Sequence, residues 1–345
     1  MKVVYHLRKF GVYTFALIFI FGCSSRHSPI NNTQPPAEPT LVNDFEPCSG
    51  APHGQTTTPS ACRAMMAWST NGRDFKRPAN PMQGRLIDRI GVPDAVLLPS
   101  GRIMVYFVTG CRIYNGLPQA SNDIAVAVSD HQAEAGSWVY KEVHFIGIPP
   151  GDGVPFDPNV VLLPDGRVSM LATLFVNEGG KTQMGATAFI SNDGGFTFTF
   201  QGLRYAGVID PENYRFSDTD WQIITGEPGE VKGYAISTDG GNTFQPFGSF
   251  PDHLVVHEIA VTDRLGEYRA YTPTENGIRS SISITSPWTD WSLEPGYCLQ
   301  LDTSSGLESC HVTFPTVLKL APLRYLMIYE TVIPGCGCGN DPVCE

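Results

Sequence analysis

Acidic, amide and histidine side chains recur at the beginnings of short apolar segments along this chain. The set comprises Asp94, Asp157, Asn159, Asp210, Glu212, His257, Glu258 and His311. Two carboxyl groups held close together can act as general acid and general base. Cleavage of a glycosidic bond needs such a pair, because one carboxylic acid protonates the leaving oxygen while the other carboxylate activates water or attacks directly.

Internal repeats must position these residues. Segment 92–102 reads Val-Pro-Asp-Ala-Val-Leu-Leu-Pro-Ser-Gly-Arg, and segment 157–167 matches it as Asp-Pro-Asn-Val-Val-Leu-Leu-Pro-Asp-Gly-Arg. Weaker copies begin at 210, 255 and 312. Measured between the equivalent residues Pro93, Pro158, Pro211, His257 and Pro315, the successive intervals are 65, 53, 46 and 58 residues. These intervals are similar to the lengths of β-propeller blades, roughly 40–50 residues or more. In this register Asp94 aligns with Asn159 and not with Asp157.

A second pattern marks the third strand of a repeat. Segment 191–198 reads Ser-Asn-Asp-Gly-Gly-Phe-Thr-Phe and segment 237–244 reads Ser-Thr-Asp-Gly-Gly-Asn-Thr-Phe, with a degenerate copy at 69–75. Both resemble the Asp-box, or BNR repeat, of sialidase-type β-propellers. In such a turn the Asp caps the backbone and the Gly adopts a positive φ. The resemblance implies a fold more than an activity, because Asp-boxes lie away from the active sites of that family.

The repeats predict an all-β, five-bladed β-propeller closed by N-terminal strands. Five inner-strand motifs are present, and the last, at 311–331, supplies only two strands. The degenerate Asp-box region at 63–77 lacks preceding inner strands, so the two chain ends together complete one blade. Five blades resemble arabinanase- and levansucrase-type glycosidases. The alternative is a six-bladed, sialidase-like propeller.

The resemblance to five-bladed glycosidases implies a site where the inner strands meet the central channel. It assigns base, pKa-modulating and acid roles to Asp94, Asp157 and Glu258. Glu212 is the alternative acid, and both Asp-Pro pairs are equally consistent with simple turns. The expected substrate-binding residues are Arg89, Asn159, Asp210, Glu212, His257 and His311.

A sialidase-like site is a second alternative. It would need an arginine cluster, because guanidinium groups pair with a substrate carboxylate in a bidentate manner. The residues available for it are Arg89, Arg269 and Arg324, with Tyr271 or Tyr329 and Glu330 as a nucleophile pair. Four tryptophans are candidates for stacking on sugars or for core packing: Trp138, Trp221, Trp288 and Trp291. The motifs predict no metal and no cofactor.

The N-terminus resembles the leader of a bacterial lipoprotein. Basic residues precede a short apolar run that ends in Ile-Phe-Gly-Cys at 20–23, too short to span a membrane. The resemblance implies a signal peptide at 1–22, acylation including palmitate at Cys23, a Pro- and Thr-rich tether at 23–60, and the propeller at 61–345. Ser24 favours the outer membrane of the cell envelope by the sorting rule of that family. An ordinary signal peptide is the alternative.

Charge and cysteine content restrict the partners. The net charge is −11, and removal of residues 1–22, with three basic and no acidic residues, makes it −14. Nucleic acid is therefore excluded as a partner, whereas 35 Gly and 28 Pro argue against a helical bundle. Eight cysteines besides Cys23 predict up to four disulfides, with Cys298 and Cys310 as a local pair and further bridges stapling the chain ends.

These observations predict a lipid-anchored envelope protein that binds a glycan, with hydrolysis by paired carboxylates as the leading hypothesis. The alternative is a non-catalytic surface propeller that binds glycan or protein. The sequence leaves the oligomeric state open.

Overall fold

The computed structural model describes residues 41–48, 50, 58–129, 138–178, 180–225, 233–250, 256–264, 266–284 and 290–338. The predictions for the signal segment, Cys23, Trp288 and Cys344 concern residues outside these ranges. Across the described part of the chain, no helix combines the length and the apolarity needed to span a membrane.

The described elements are almost all strands. One short helix, α1 (Thr58–Ala61), and two 3-10 turns, Pro81–Gly84 and Thr303–Ser305, accompany them. The strands are β1 (Cys62–Ser69), β2 (Arg85–Asp88), β3 (Ile90–Leu97), β4 (Ile103–Thr109), β5 (Cys111–Tyr114), β6 (Leu117–Ala120), β7 (Ile124–Ser129), β8 (Trp138–Glu142), β9 (His144–Ile146), β10 (Phe156–Leu162), β11 (Val168–Glu178), β12 (Lys181–Ser191), β13 (Thr197–Ala206), β14 (Glu212–Arg215), β15 (Trp221–Thr225), β16 (Gly233–Ser237), β17 (Gln245–Gly248), β18 (Glu258–Val261), β19 (Tyr268–Thr274), β20 (Gly277–Ser283), β21 (Ser292–Leu293), β22 (Leu299–Gln300), β23 (Ser309–Ala321) and β24 (Arg324–Val332).

Among the described strands, five antiparallel sheets have the size and order of propeller blades. Blades 1 to 4 are β3-β4-β7-β8, β10-β11-β12-β13 with β9 added parallel to β13, β14-β15-β16-β17, and β18-β19-β20-β21. Blade 5 is β23-β24-β1-β2 and unites the two ends of the described chain. Strand β1 pairs with β24 along its whole length, so the prediction that N-terminal strands complete the last blade is confirmed.

The innermost strands of the blades lie side by side. Strand β3 contacts β10 and β23, β10 contacts β14, and β18 contacts β23. Between blades 3 and 4, His257 just before β18 places its Nδ1 4.0 Å from Glu212 Oε1 of β14. The beginnings of these strands, where the candidate residues lie, therefore converge.

The core is divided into layers between successive blades. The layer between blades 1 and 2, for example, contains Tyr106, Met104 and Phe189, all fully buried. Similar layers separate each other neighbouring pair, including blades 5 and 1. Burial of each such large side chain contributes about 1.5–3 kcal/mol. Trp138, Trp221 and Trp291 are buried in these layers, so they are core residues and not sugar-stacking platforms.

The two segments with the Asp-box pattern form closely similar turns. Asp193 Oδ1 accepts hydrogen bonds from the N–H groups of Phe196 and Thr197, at 3.1 and 2.9 Å. Asp239 Oδ1 accepts the equivalent pair from Asn242 and Thr243. Because Ser191 pairs with Val168 and Val168 with Leu162, the first turn lies at the end of blade 2 remote from Asp157.

Two disulfides join described cysteines, Cys48–Cys111 and Cys310–Cys338. The predicted local pair of Cys298 with Cys310 is wrong, since Cys298 and Cys62 are buried free thiols. The first bridge ties the segment before β1 to blade 1, and the second lies within the C-terminal part of the chain. Between the described ends, closure is therefore made by the β1–β24 hydrogen bonds and not by either bridge.

Candidate functional site

A β-bulge interrupts the inner strands at equivalent positions. The register shifts between Gly91 and Asp94, between Phe156 and Asn159, and between Thr313 and Thr316. The residue two positions before the end of each shift adopts a positive φ, as does its equivalent in blade 3: Val92 (50°), Asp157 (51°), Asp210 (53°) and Phe314 (43°). This conformation is uncommon outside glycine and costs on the order of 1–3 kcal/mol per residue.

The bulge re-aims the side chains at the start of each strand. Asp157 and Asp210 belong to neighbouring blades and are half buried. Their carboxyl groups are close enough for the charge of Asp157 to raise the pKa of Asp210. The structure therefore gathers the two Asp-Pro aspartates that the sequence placed on separate repeats.

Two residues after each residue of positive φ lies a second set of side chains, here called the waist ring. Its members follow the proline or histidine of each repeat: Asp94, Asn159, Glu212, Glu258 and Thr316.

The waist ring joins several neighbouring inner strands by hydrogen bonds. Asp94 Oδ2 accepts the N–H of Val160 at 2.5 Å, and Glu258 Oε2 accepts the N–H of Val317 at 3.1 Å. Asn159 donates from Nδ2 to Glu212 Oε2 at 3.0 Å and accepts the N–H of Asn213 at 2.8 Å. Asp94 and Glu258, predicted as base and acid, therefore both serve as hydrogen-bond acceptors between blades.

Two side chains on the second strands of blades 2 and 5 accept main-chain N–H groups from the bulges of the next blades. Thr173 Oγ1 accepts the N–H of Asp210 at 2.9 Å and donates to Asp157 Oδ2 at 3.2 Å. Glu330 Oε2 accepts the N–H of Val92 at 2.8 Å. Thr173 pairs with Phe156 and Glu330 with Thr313, so the two anchors occupy equivalent positions in blades 2 and 5.

Burial raises the pKa of all six carboxyl groups at this end of the channel. It brings the pKa of Asp94 and of Asp157 to about 6, opposed at Asp157 by the hydrogen bond from Thr173. Burial also raises the pKa of Glu330 to about 7, although its bond from the Val92 N–H opposes the change. These three groups are thus poised to titrate near neutral pH.

Neighbouring negative charges act together with burial to raise the pKa of the other three carboxyl groups. The pKa of Asp210 lies well above its ordinary value through burial and then the charge of Asp157. Burial and the charge of Asp210 do the same to the pKa of Glu212, and burial and Asp94 to that of Glu258. A cluster in which one carboxyl is ionised and its neighbour protonated can supply both a base and an acid.

For both histidines near these carboxyl groups, burial disfavours the positively charged form of the ring. His257 is buried, and burial lowers its pKa to about 4, so the ring is neutral at pH 7. Within the described residues its Nδ1 has no hydrogen-bond partner, and its ring packs edge-on against Phe314 at 5.3 Å. His311 is half buried on β23, and burial also lowers its pKa.

The channel continues below the waist ring as a cavity of about 230 Å³. Asn213 lines it and is 3% exposed, yet its Oδ1 has no hydrogen-bond partner among the described groups. Towards the end with the Asp-box turns the wall becomes apolar, with Leu97, Leu162, Phe216 and Leu318. No group of three or more His, Cys, Asp or Glu in the described ranges is arranged to hold a metal ion.

The arginines considered for a sialidase-like site are dispersed. Arg89 precedes β3 and donates to the carbonyl of Ser60. Arg269 pairs with Glu294 at 2.7 Å and donates to the carbonyl of Asn71. Arg324 begins β24, six residues before Glu330, a distance of about 20 Å along a strand.

The tyrosines of that alternative are also directed elsewhere. Tyr271 donates to the carbonyl of Gly72, and Tyr329 donates to Glu308 Oε1 at 2.7 Å. Tyr329 and Glu330 are consecutive on β24 and so point to opposite faces of the sheet. Neither tyrosine forms a pair with Glu330.

The sequence did not single out Thr173 or Thr316, and Glu330 was considered only as the partner of Tyr271 or Tyr329. A usable signal existed for Glu330, because a lone acid inside an otherwise apolar strand needs a partner. Nothing distinguishes Thr173 in the sequence, since threonine is common in strands.

No family model and no curated protein matches this chain. Its structure does resemble solved ones. A protein of unknown function from Dyadobacter fermentans DSM 18053 superposes with a TM-score of 0.50 at 11% identity, covering 85% of this chain and 87% of that one. A thermostable family-43 glycoside hydrolase gives 0.51 at 14% identity, covering 74% and 87%.

The fold is a β-propeller similar to that of this glycoside hydrolase. The prediction of an all-β propeller is thereby confirmed. A microbial sialidase, Hadza Hz136, is more distant, with a TM-score of 0.45 at 12% identity over 70% of this chain and 52% of that one.

Proposed function

We propose that this protein binds a glycan at the channel mouth and hydrolyses it with Asp157 and Asp210. The observation that carries the proposal is the meeting of these two residues from neighbouring blades. The Thr173 hydroxyl donates to the Asp157 carboxylate and accepts the main-chain N–H of Asp210, and the charge of Asp157 raises the pKa of the Asp210 carboxyl group. The fold of a family-43 glycoside hydrolase supports a carbohydrate ligand.

The roles follow from the two environments. Burial and the charge of Asp157 both raise the pKa of Asp210, so Asp210 is the member assigned to carry the proton and donate it to the leaving glycosidic oxygen. Asp157 has a pKa of about 6 and receives a hydrogen bond that favours its charged form. Its carboxylate activates water or attacks the anomeric carbon.

Asp94 and Glu258 have supporting roles in this proposal. Each already accepts a main-chain N–H from the neighbouring blade, and this bond fixes the width of the channel. Their negative charge, where present, keeps the proton on Glu212. Substrate contacts are proposed for Asn159, Glu212 and His257, which surround the same opening.

The test is a panel of aryl glycosides, including an arabinoside, a xyloside and a sialoside, each with a good and a poor leaving group. We expect Asp157→Asn to lower kcat at least about 100-fold on both kinds of leaving group. Asp210→Asn should lose activity mainly on the poor leaving group, because a good one departs without a proton. Asp165→Asn, an exposed turn residue at the other end of blade 2, should behave as wild type.

A non-catalytic glycan-binding propeller is the second candidate. It is favoured by the commitment of Asp94 and Glu258 to hydrogen bonds between blades. Absence of turnover of every glycoside by the wild type, together with saturable glycan binding that Asp157→Asn weakens, would establish this candidate and refute hydrolysis.

We further propose that the domain is displayed on the cell envelope by a lipid on Cys23. The support is the resemblance of residues 1–23 to a lipoprotein leader and the Ser24 that follows. A tether of Pro- and Thr-rich composition would hold the channel away from the membrane, where it can reach a polymeric glycan.

A further inference from the structure

Thr173 occupies an unusual position between the two proposed catalytic groups. It is fully buried on β11, the second strand of blade 2. Its hydroxyl accepts one hydrogen bond, from the N–H of Asp210, and donates one, to Asp157 Oδ2. A threonine has one O–H, so its only donor is committed to the Asp157 carboxyl group.

The equivalent position in blade 5 shows what is special about this arrangement. Glu330 there accepts the N–H of Val92, which has the same left-handed conformation as Asp210. Both anchors therefore hold a bulge of the next blade in place. A carboxylate acceptor cannot also donate, whereas Thr173 can, and its donor reaches an acid of the proposed pair.

We propose that Thr173 is a positioning residue that fixes Asp157 and Asp210 against each other and keeps the negative charge on Asp157. The proposal rests on the roles given above to these two aspartates. The hydrogen bond that the Thr173 hydroxyl accepts from the Asp210 N–H holds Asp210 in the left-handed conformation, which turns the Asp210 carboxyl group towards Asp157. The hydrogen bond that Thr173 donates to the Asp157 carboxylate stabilises the ionised form of Asp157.

The other charged groups around the pair act against the ionised form. Asp210 faces Asp157 from blade 3, Glu330 faces both from β24, and Asp94 acts on Asp210 from blade 1. All three are carboxyl groups, so each repels a second negative charge. The Thr173 hydrogen bond opposes burial at Asp157, and its loss is expected to raise the pKa of Asp157 above about 6.

The test uses Thr173→Val, which keeps the shape and removes both hydrogen bonds, and Thr173→Ser, which keeps both. Thr109→Val is the matched control, because Thr109 is buried on β4 of blade 1 and donates only to Ser121. Carboxyl carbon resonances of aspartate-labelled protein are followed as a function of pH, with Asp157 identified by its absence in Asp157→Asn. If Thr173→Val does not fold, Thr173→Ala replaces it.

Thr173→Val or Thr173→Ala should raise the pKa of Asp157, while Thr173→Ser and Thr109→Val leave it unchanged. An unchanged Asp157 titration in a folded Thr173→Val or Thr173→Ala would overturn the proposal, and so would a shift of equal size in Thr173→Ser. With an active glycoside, the acidic limb of kcat against pH should move towards neutral in parallel. The titration is independent of turnover, so a shifted pKa without hydrolysis of any glycoside would leave the positioning role standing and refute the hydrolase.

Discussion

Burial of acids close to one another dominates the chemistry of individual residues here. At the channel mouth and waist, the charged neighbours that raise carboxyl pKa values are themselves carboxyl groups. Each proton that leaves therefore makes the next harder to remove. The cluster at neutral pH holds fewer negative charges than its six acids would carry in water, and a proton donor is available beside a base.

Glu330 provides the simplest test of this electrostatic account. Its folded-state pKa of about 7 exceeds the ordinary value of 4.5, so the folded protein binds the extra proton. The resulting stability is fully present below pH 4.5 and is lost as pH rises through 7. Glu330→Gln, which can still accept the Val92 N–H, should therefore be more stable than wild type at pH 8 by about 3 kcal/mol and similar at pH 4.

Urea unfolding of both proteins at the two pH values measures this difference. The exposed Glu275 supplies the control Glu275→Gln, which should show no such dependence. A difference between Glu330→Gln and wild type that is the same at both pH values would contradict a raised pKa.

The identity of several site residues was visible in the sequence. Asp157 and Asp210 were singled out because each precedes a proline at the start of an apolar segment. In the structure each adopts a positive φ at the start of an inner strand, and their role in a site stays a prediction. The pairing of Asp157 with Asp210 was not visible, because it depends on a bulge whose residues come into register only when β10 pairs with β11.

At the scale of strands and turns, the second glycine of the Asp-box pattern explains how neighbouring blades fit. A Cβ on Gly195 would lie 2.1 Å from Tyr106 Oη of blade 1, and the φ of Gly195 is 102°. Tyr106 donates to the carbonyl of Gly195 at 2.9 Å. The turn of blade 2 therefore rests directly on the buried tyrosine of blade 1, with no space for a side chain.

Gly194→Ala and Gly195→Ala form a matched pair for this contact. Both glycines have positive φ, but a Cβ on Gly194 would meet nothing within 4 Å. Gly194→Ala should cost about 1 kcal/mol of unfolding free energy from backbone strain. Gly195→Ala should cost at least about 2 kcal/mol more, because it also displaces Tyr106. Thermal and urea unfolding of the two variants measure the difference, and equal destabilisation would show that the interblade contact is not the constraint.

The turns were easier to predict than the bulges. An Asp-box pattern encodes its own hydrogen bonds within a few residues, as at Ser191 and Asp193. A bulge such as that at Asp157 is held by Thr173 on another strand and by a waist ring from neighbouring blades, so no local pattern specifies it.

At the scale of the whole molecule, one strand from the beginning of the described chain completes a sheet from its end. Residues Cys62 to Ser69 pair with Val332 to Tyr325 without a register shift. A core layer then forms between blades 5 and 1 as between the others. The channel mouth depends on this closure, because Glu330 of blade 5 anchors Val92 of blade 1.

The location of the molecule in the cell has its own test. In a Gram-negative host, the full-length protein should incorporate labelled palmitate and fractionate with the outer membrane, since a lipid anchor, not charge, would hold a chain of net charge −14. Cys23→Ser should lose the label, whereas Ser24→Asp should keep the label and change the membrane fraction. Unlabelled wild type in the soluble periplasmic fraction would favour an ordinary signal peptide.

Sequence alone determined the class of fold, the repeats, the pairing of the chain ends and most of the polar residues around the channel, because these follow from local patterns and their spacing. Tertiary structure decided which acids meet, which of them tie blades together, and that Arg269 and Arg324 lie elsewhere. The physical reason is that pKa values and side-chain partners depend on burial and on distances between blades. Residues 53 positions apart, such as Asp157 and Asp210, acquire these only when successive blades pack around the channel.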